Sequence, residues 1–262
     1  MIKNLKMPIV LALLFISMNS YSQTWSGGYS KKSNAKADTI YRDNSFPHFR
    51  FAITGGFSAL TAPLSSDIPS YLTSFIGALS TGGNFSTEFN YFWNRRSGFG
   101  LKYNVYLSAT SATVNYPSSG GGTIPTFLSA DEHYTFIGPE YYSRILSRNK
   151  KGAFIAGIGL GYMNYYAHVS NGSADVIQTG NTLGITYDLA YDYALNDNLS
   201  IGIQLSVIRG TLYQYDEYDG TTTKTVSLSQ GSYQSLDHLD ISIGIRYTPV
   251  QKVSNKNIRR YP

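Results

Sequence analysis

The 262-residue sequence contains no cysteine, and only 14% of its residues are charged. Without cysteine there is no disulfide framework and no lipid-anchored N-terminal cysteine, so stability must come from the packed chain itself. Charge this sparse, against ~25% in a typical soluble domain, argues against an ordinary water-facing surface. The formal net charge of +5 is too mild to point to nucleic acid. Long apolar runs are missing too. Apart from a short N-terminal stretch, no segment approaches the ~20 residues a membrane-spanning helix needs. No nucleotide, metal or cofactor motif stands out, so the reading includes no cofactor. What is abundant is aromatic: 15% of residues, 23 of them tyrosine, which suits a surface that meets lipid.

The N-terminus has the order of a secretory signal. Lys3 and Lys6 form a positive region, Ile9 to Ile16 a short apolar core, and Ser20 and Ser22 a small-residue cleavage pattern. Residues 1–22 are therefore assigned as a signal peptide, cleaved before Gln23. Residues 23–48 are polar and lack sustained periodicity, and read as a flexible leader. Residues 49–249 carry the folded domain and 250–262 a basic tail.

Alternation with period two dominates from residue 49 onward and predicts half-buried strands. Leu183, Ile185, Tyr187, Leu189, Tyr191 and Tyr193 alternate with Gly184, Thr186, Asp188, Ala190 and Asp192. The same design recurs over Leu199–Val207 and Leu239–Thr248. Looser examples span Phe49–Leu60, Phe85–Asn94, Phe99–Thr113, Tyr134–Leu146 and Gly152–Val169, which makes eight strands. Connection lengths alternate as well. Residues 94–98, 148–152 and 196–198 are tight turns rich in Asn, Asp and Gly, whereas 61–82, 114–132, 170–180 and 215–236 are long. Short turns at one end and long loops at the other predict an all-β fold: an eight-stranded antiparallel up-and-down transmembrane β-barrel, with turns and both termini periplasmic and long loops extracellular. Trp93, Phe99, Phe154, Tyr162, Tyr193 and Tyr247 fall where such a barrel meets the two membrane–water interfaces and form its aromatic girdles. The competing fold is a soluble lipocalin-like barrel, whose apolar face points inward. Against it, the polar face is built of Gly, Ser and Thr too small to cover a soluble barrel, and the apolar face is nearly free of charge, Arg209 excepted.

With its signal, its eight strands and a last strand carrying Ser242, Gly244 and Tyr247, the sequence resembles the small outer-membrane β-barrel proteins of Bacteroidetes-type bacteria. It departs from them in continuing past that strand to Pro262. The resemblance implies a Gram-negative outer-membrane location and passage through the barrel-assembly machinery. Its surroundings would be outer-membrane lipids, lipopolysaccharide and other outer-membrane proteins.

The polar face would line the lumen, and it carries Arg50, Glu88, Lys102, Glu140, Arg144, Asp188, Asp192, Asp240 and Arg246. An eight-stranded interior is just wide enough for side chains to fill, so these charges are expected to pair across it as a plug. The competing use is a narrow small-solute or ion path. His168 and Ser170 lie on one side of a strand, facing lipid, with Asp175 the nearby acid. The run His168-Val169-Ser170-Asn171 resembles a segment of the outer-membrane lipid A deacylases, which would make His168 a base for Ser170. That family sets its pair on the penultimate strand and its acid on the last, and here the run ends the fifth. An ordinary strand end is the plainer account.

Ile68, Leu72, Phe75, Ile76 and Leu79 at helical spacing, with Asp67 before Pro69, predict a short amphipathic helix that could cover the barrel mouth, lie in the outer leaflet or contact a partner, packing on its own barrel being favoured. Asp216, Glu217 and Asp219 among Tyr213, Tyr215 and Tyr218 do not match a calcium loop. A solvated loop is favoured there over a metal or carbohydrate site. Arg95, Arg96, Arg148, Lys150, Lys151 and the tail's Lys252, Lys256, Arg259 and Arg260 form a basic periplasmic rim, which either meets phosphates of the inner leaflet or simply keeps that end soluble. The preferred function is a non-enzymatic barrel acting as a surface or structural protein, or as an accessory subunit of a larger outer-membrane assembly. The alternatives are lipid A deacylation and a narrow channel.

Overall fold

A computed structural model describes residues 46–62, 68–118, 121–149, 151–172, 174–229 and 232–249. The signal peptide, the leader up to residue 45, the helix-starting Asp67, Lys150 and the basic tail lie outside the described residues. The elements are β1 (Phe49–Leu60), α1 (Thr73–Ala78), β2 (Thr81–Phe92), β3 (Ser97–Pro117), β4 (Thr123–Leu146), β5 (Gly152–Ser170), β6 (Asp175–Ala194), β7 (Leu199–Leu212), β8 (Gln214–Tyr218), β9 (Thr223–Ser227), β10 (Gln234–Ser235) and β11 (His238–Tyr247).

Strands β1 to β7 pair in sequence, and β11 closes the ring between β7 and β1, all antiparallel. This is the predicted eight-stranded up-and-down barrel. The register can be followed once around it: Phe49, Tyr91, Phe99, Tyr141, Ile158, Tyr187, Val207, Leu239, and back onto β1 at Ala59. The return point is displaced by about ten residues, the stagger that a closed eight-stranded sheet with strands tilted ~40° requires. Closure brings backbones close together: a Cβ on Gly244 would lie 2.0 Å from the Ile53 carbonyl oxygen, so β1 and β11 meet only because that side chain is missing.

Alternation decides which way each side chain points. Ile203, Ile241, Ile243, Ile245, Leu183 and Phe99 are all at least 58% exposed, forming an apolar band around the outside. Arg50, Lys102, Asp188, Asp240 and Arg246 are almost wholly buried inside. A water-soluble barrel inverts this arrangement, because a continuous exposed apolar surface is costly in water. Trp93, Phe99, Tyr193 and Tyr247 are exposed near the short-turn end, as the girdle reading requires, and Phe154 is half-buried on the same outer face. Trp93, Phe99 and Tyr141 touch in a cluster, with the Trp93 and Phe99 rings 4.9 Å apart. Tyr162 is exposed at the other edge of the band.

The far end differs in detail from the sequence expectation. Residues 114–132 and 170–180, read as loops, are largely strand: β3 runs to Pro117, β4 starts at Thr123, and β6 starts at Asp175. Within 215–236, β8 and β9 form a further hairpin, with β8 pairing to β6. Periodicity fades there because these segments stand above the apolar band, with neither face committed to lipid. Together they raise a sheet-like wall on one side of the barrel mouth.

Candidate functional site

The interior is filled in layers. At the short-turn end Phe92, Tyr142, Ile155 and Ala190 cluster with Phe46. The Arg144 guanidinium lies 3.8 Å from the centre of the Phe92 ring and donates to the Pro47 carbonyl at 3.1 Å. Residues 46–48, expected as flexible leader, are thus part of the seal: His48 also contacts the Phe92 carbonyl at 2.9 Å. Arg144 was expected to pair with a carboxylate. It meets a ring and carbonyls instead, since it sits below the acids at the level where the strands turn.

Above this lies the ionic layer. Arg50 donates to Asp192 and Glu88, both at 2.7 Å. Arg246 contacts Asp192 at 3.0 Å and donates to the Gly202 and Gly244 carbonyls. Lys102 binds Asp188 at 2.5 Å and Ser206 at 3.1 Å. Gln204 donates to Glu88 at 2.5 Å, and the Ser206 hydroxyl donates to Asp188. Glu140 accepts the Tyr142 hydroxyl. Asp240 takes no cation: Ser58 and Asn104 donate to its two oxygens at 2.5 and 2.8 Å. Six of the nine predicted lumen charges therefore pair with one another, while Arg144, Glu140 and Asp240 use neutral partners. Glu88, Glu140 and Asp188 offer oxygens within 4.8 Å of one another, a spacing that a metal ion would accept. The Lys102 ammonium already sits against this cluster and supplies the positive charge it needs, so the donor set fits an internal ion pair better than a metal.

Nearer the mouth the lumen becomes apolar. Tyr106, Tyr134, Phe136, Met163, Tyr165, Ile208, Leu212 and Leu236 pack into a buried cluster. Over it, α1 lays Phe75, with Leu79 just beyond its end, against Val114, Leu128 and Ala130 on the inner face of the wall. Tyr106 Oη donates to the Leu79 carbonyl at 2.6 Å and ties the helix down. The predicted helix is thus real, shorter than its apolar spacing implied, and packed on its own barrel. The sequence reading missed the apolar half of the plug. Its signal was the run Tyr134-Thr135-Phe136-Ile137, where alternation lapses because aromatic and aliphatic side chains face both ways.

On the outer face of the wall, His168 and Ser170 stand on β5 above the apolar band. The two imidazole nitrogens face carboxylates: Nδ1 lies 3.2 Å from Asp131 on β4 and Nε2 lies 3.7 Å from Asp175. His133 contacts Asp131 from the same strand at 3.9 Å. The Ser170 hydroxyl accepts the Gly172 N–H at 3.3 Å. The structure thus brings His168 to Asp175 but engages both ring nitrogens with acids. Asp131 was not foreseen, since it is 37 residues away in sequence and is brought close only by the β4–β5 register.

In the β8–β9 hairpin, Asp219 accepts the Thr222 and Thr221 N–H groups and both hydroxyls. These bonds, the Thr222 N–H foremost, hold its carboxyl below the ordinary range. The acidic loop is thus an internally bonded turn, and Asp219 is its organiser.

An antiparallel ring of eight strands, lipid-compatible outside and ionic inside, defines an outer-membrane-type β-barrel. The chain is similar in outline to Neisserial surface protein A, with 14% identity, 77% of this chain and 97% of that one covered, and a TM-score of 0.41. It is also similar to a major outer membrane protein of Thermus thermophilus (13%, 76% and 98%, 0.48) and to the outer membrane protease OmpT of Escherichia coli (9%, 77% and 97%, 0.47). Likeness this loose carries no argument about activity; the class rests on the chain's own register and surfaces. No family model matches the sequence, and no curated protein matches it.

Proposed function

We propose that this protein is an integral outer-membrane barrel, with both termini in the periplasm, that works through its outer wall and surface rather than through its lumen. It serves as a non-enzymatic surface or structural protein, or as an accessory subunit of a larger outer-membrane assembly. The observation that carries this reading is the three-layer filling of the interior: an aromatic seal, an ion-pair layer and an apolar plug capped by α1. Side chains packed across eight strands, six of the nine lumen charges paired with one another, leave little room for a solute path. The affiliation with Bacteroidetes-type barrels belongs to this proposal and is supported by the signal-like N-terminus, the eight strands and the last strand's Ser242, Gly244 and Tyr247. Its surroundings are then outer-membrane lipids and lipopolysaccharide, and its assembly depends on the barrel-assembly machinery.

Purification from native membranes in mild detergent tests the role. A stoichiometric protein partner supports the subunit form, and isolation of the barrel alone restricts the role to surface or structure. Planar-bilayer recordings test the closed lumen: large, stable openings would refute it.

A further inference from the structure

Strand β6 changes partner part-way along. Its pairing with β7 ends at Gly184–Gly210, and its pairing with β8 resumes only at Thr179–Asp216. The chain bends at Tyr213 between β7 and β8, and the interrupted ladder leaves a cavity of about 140 Å³ on the outer face. By strand parity the side chains of Asn164, Thr179, Asn181, Gln214 and Asp216 point outward there, and all five are exposed. Asn164 and Asn181 face each other across β5–β6.

The position of this cavity is informative. Tyr162 and Leu183, 46% and 69% exposed, form the rung directly below it and end the apolar band. One rung higher on a tilted strand is about 5 Å farther along the barrel axis. In the membrane placement proposed above, on which this inference rests, that is the level where lipid headgroups begin.

The chemistry is selective as well. Two asparagines, a glutamine and a threonine present paired donors and acceptors, which suit hydroxyls that both give and take hydrogen bonds. Asp216 keeps one oxygen for Thr225 at 2.6 Å, leaving the other to accept. No lysine or arginine lines the cavity, and the Asp216 carboxylate would repel a phosphate. We infer that this cavity binds the neutral sugar headgroup of a glycolipid in the outer leaflet, with the Asn164–Asn181 amides, Gln214 and Asp216 holding the sugar hydroxyls.

The test uses the full mature chain in phosphatidylcholine nanodiscs carrying either digalactosyldiacylglycerol or phosphatidylglycerol with the same acyl chains. Bound lipid is read by native mass spectrometry, alongside hydrogen exchange at residues 179–181 and 214–216. The wild type should retain the galactolipid about tenfold better than the phospholipid, as loss of one or two hydrogen bonds implies. Its exchange at both segments should slow only with the galactolipid. Asn181→Leu with Gln214→Leu should abolish the preference, and Asn164→Ala should weaken it if the double variant fails to insert. Insertion is scored first. A chain that stays out of the bilayer overturns this inference together with the membrane placement. An inserted wild type with no preference, or variants that keep it, overturn the inference alone. Equal protection by soluble galactobiose would overturn the membrane-lipid source.

Discussion

Arg50 is the hinge of the ionic layer, and replacing it by methionine tests whether that layer stabilises the barrel. The guanidinium bridges Glu88 and Asp192 at 2.7 Å each and is 1% exposed. Its removal leaves two carboxylates in a place that water does not freely reach. Breaking a buried pair from one side costs about 3–5 kcal/mol. Here Asp192 keeps Arg246 at 3.0 Å and Glu88 keeps Gln204 at 2.5 Å, so the loss should fall near the lower end, about 3 kcal/mol. Guanidinium unfolding in detergent micelles, followed by tryptophan fluorescence, measures it through the shift of the midpoint at constant slope. Adding Glu88→Gln to Arg50→Met removes one stranded charge and should recover part of the loss. A change under about 1 kcal/mol, or no recovery in the double variant, would refute the argument that these charges depend on one another.

Phe75→Ala should release α1 from the wall, at a local cost of about 3 kcal/mol, and make residues 68–80 sensitive to protease while the barrel keeps its gel mobility; an unchanged digestion pattern would contradict the packing described. His168→Ala should leave lipid A acylation unchanged when the protein is expressed in a Gram-negative host, and a gain of acyl chains would instead establish the deacylase. For Asp219, a folded-state carboxyl held below its unfolded value near ~3.9 stabilises the turn above that pH and loses the effect as pH falls through the lower folded value. Thr221 and Thr222 amide shifts should accordingly stay constant from about pH 5 down through ~3.9 and move only below it, whereas movement centred on the ordinary Asp value would show that the turn bonds are absent.

Much of the fold was legible because a barrel wall writes itself into sequence with period two. From Leu183 to Tyr193 and from Leu239 to Tyr247, lipid outside and lumen inside impose opposite demands on alternate residues, and the tight turns marked the end where strands reverse directly. Reading the nine charges as lumen residues followed from the same parity. Over residues 114–132 apolar side chains stand on both faces, Leu128 and Ala130 buried under α1 and Phe127 exposed, so alternation lapsed and strand was read as loop.

The sequence by itself thus determined the number of barrel strands, their facing and the polarity of each surface, since these depend only on neighbours in the chain. The tertiary structure alone decided who meets whom. Arg50 reaches Asp192 across 142 positions, Asp131 meets His168 through the β4–β5 register, and Gln214 and Asn181 line one cavity at a break in the β6 ladder. Such pairings are set by the stagger on closure, and the stagger is a property of the whole ring that no single segment encodes.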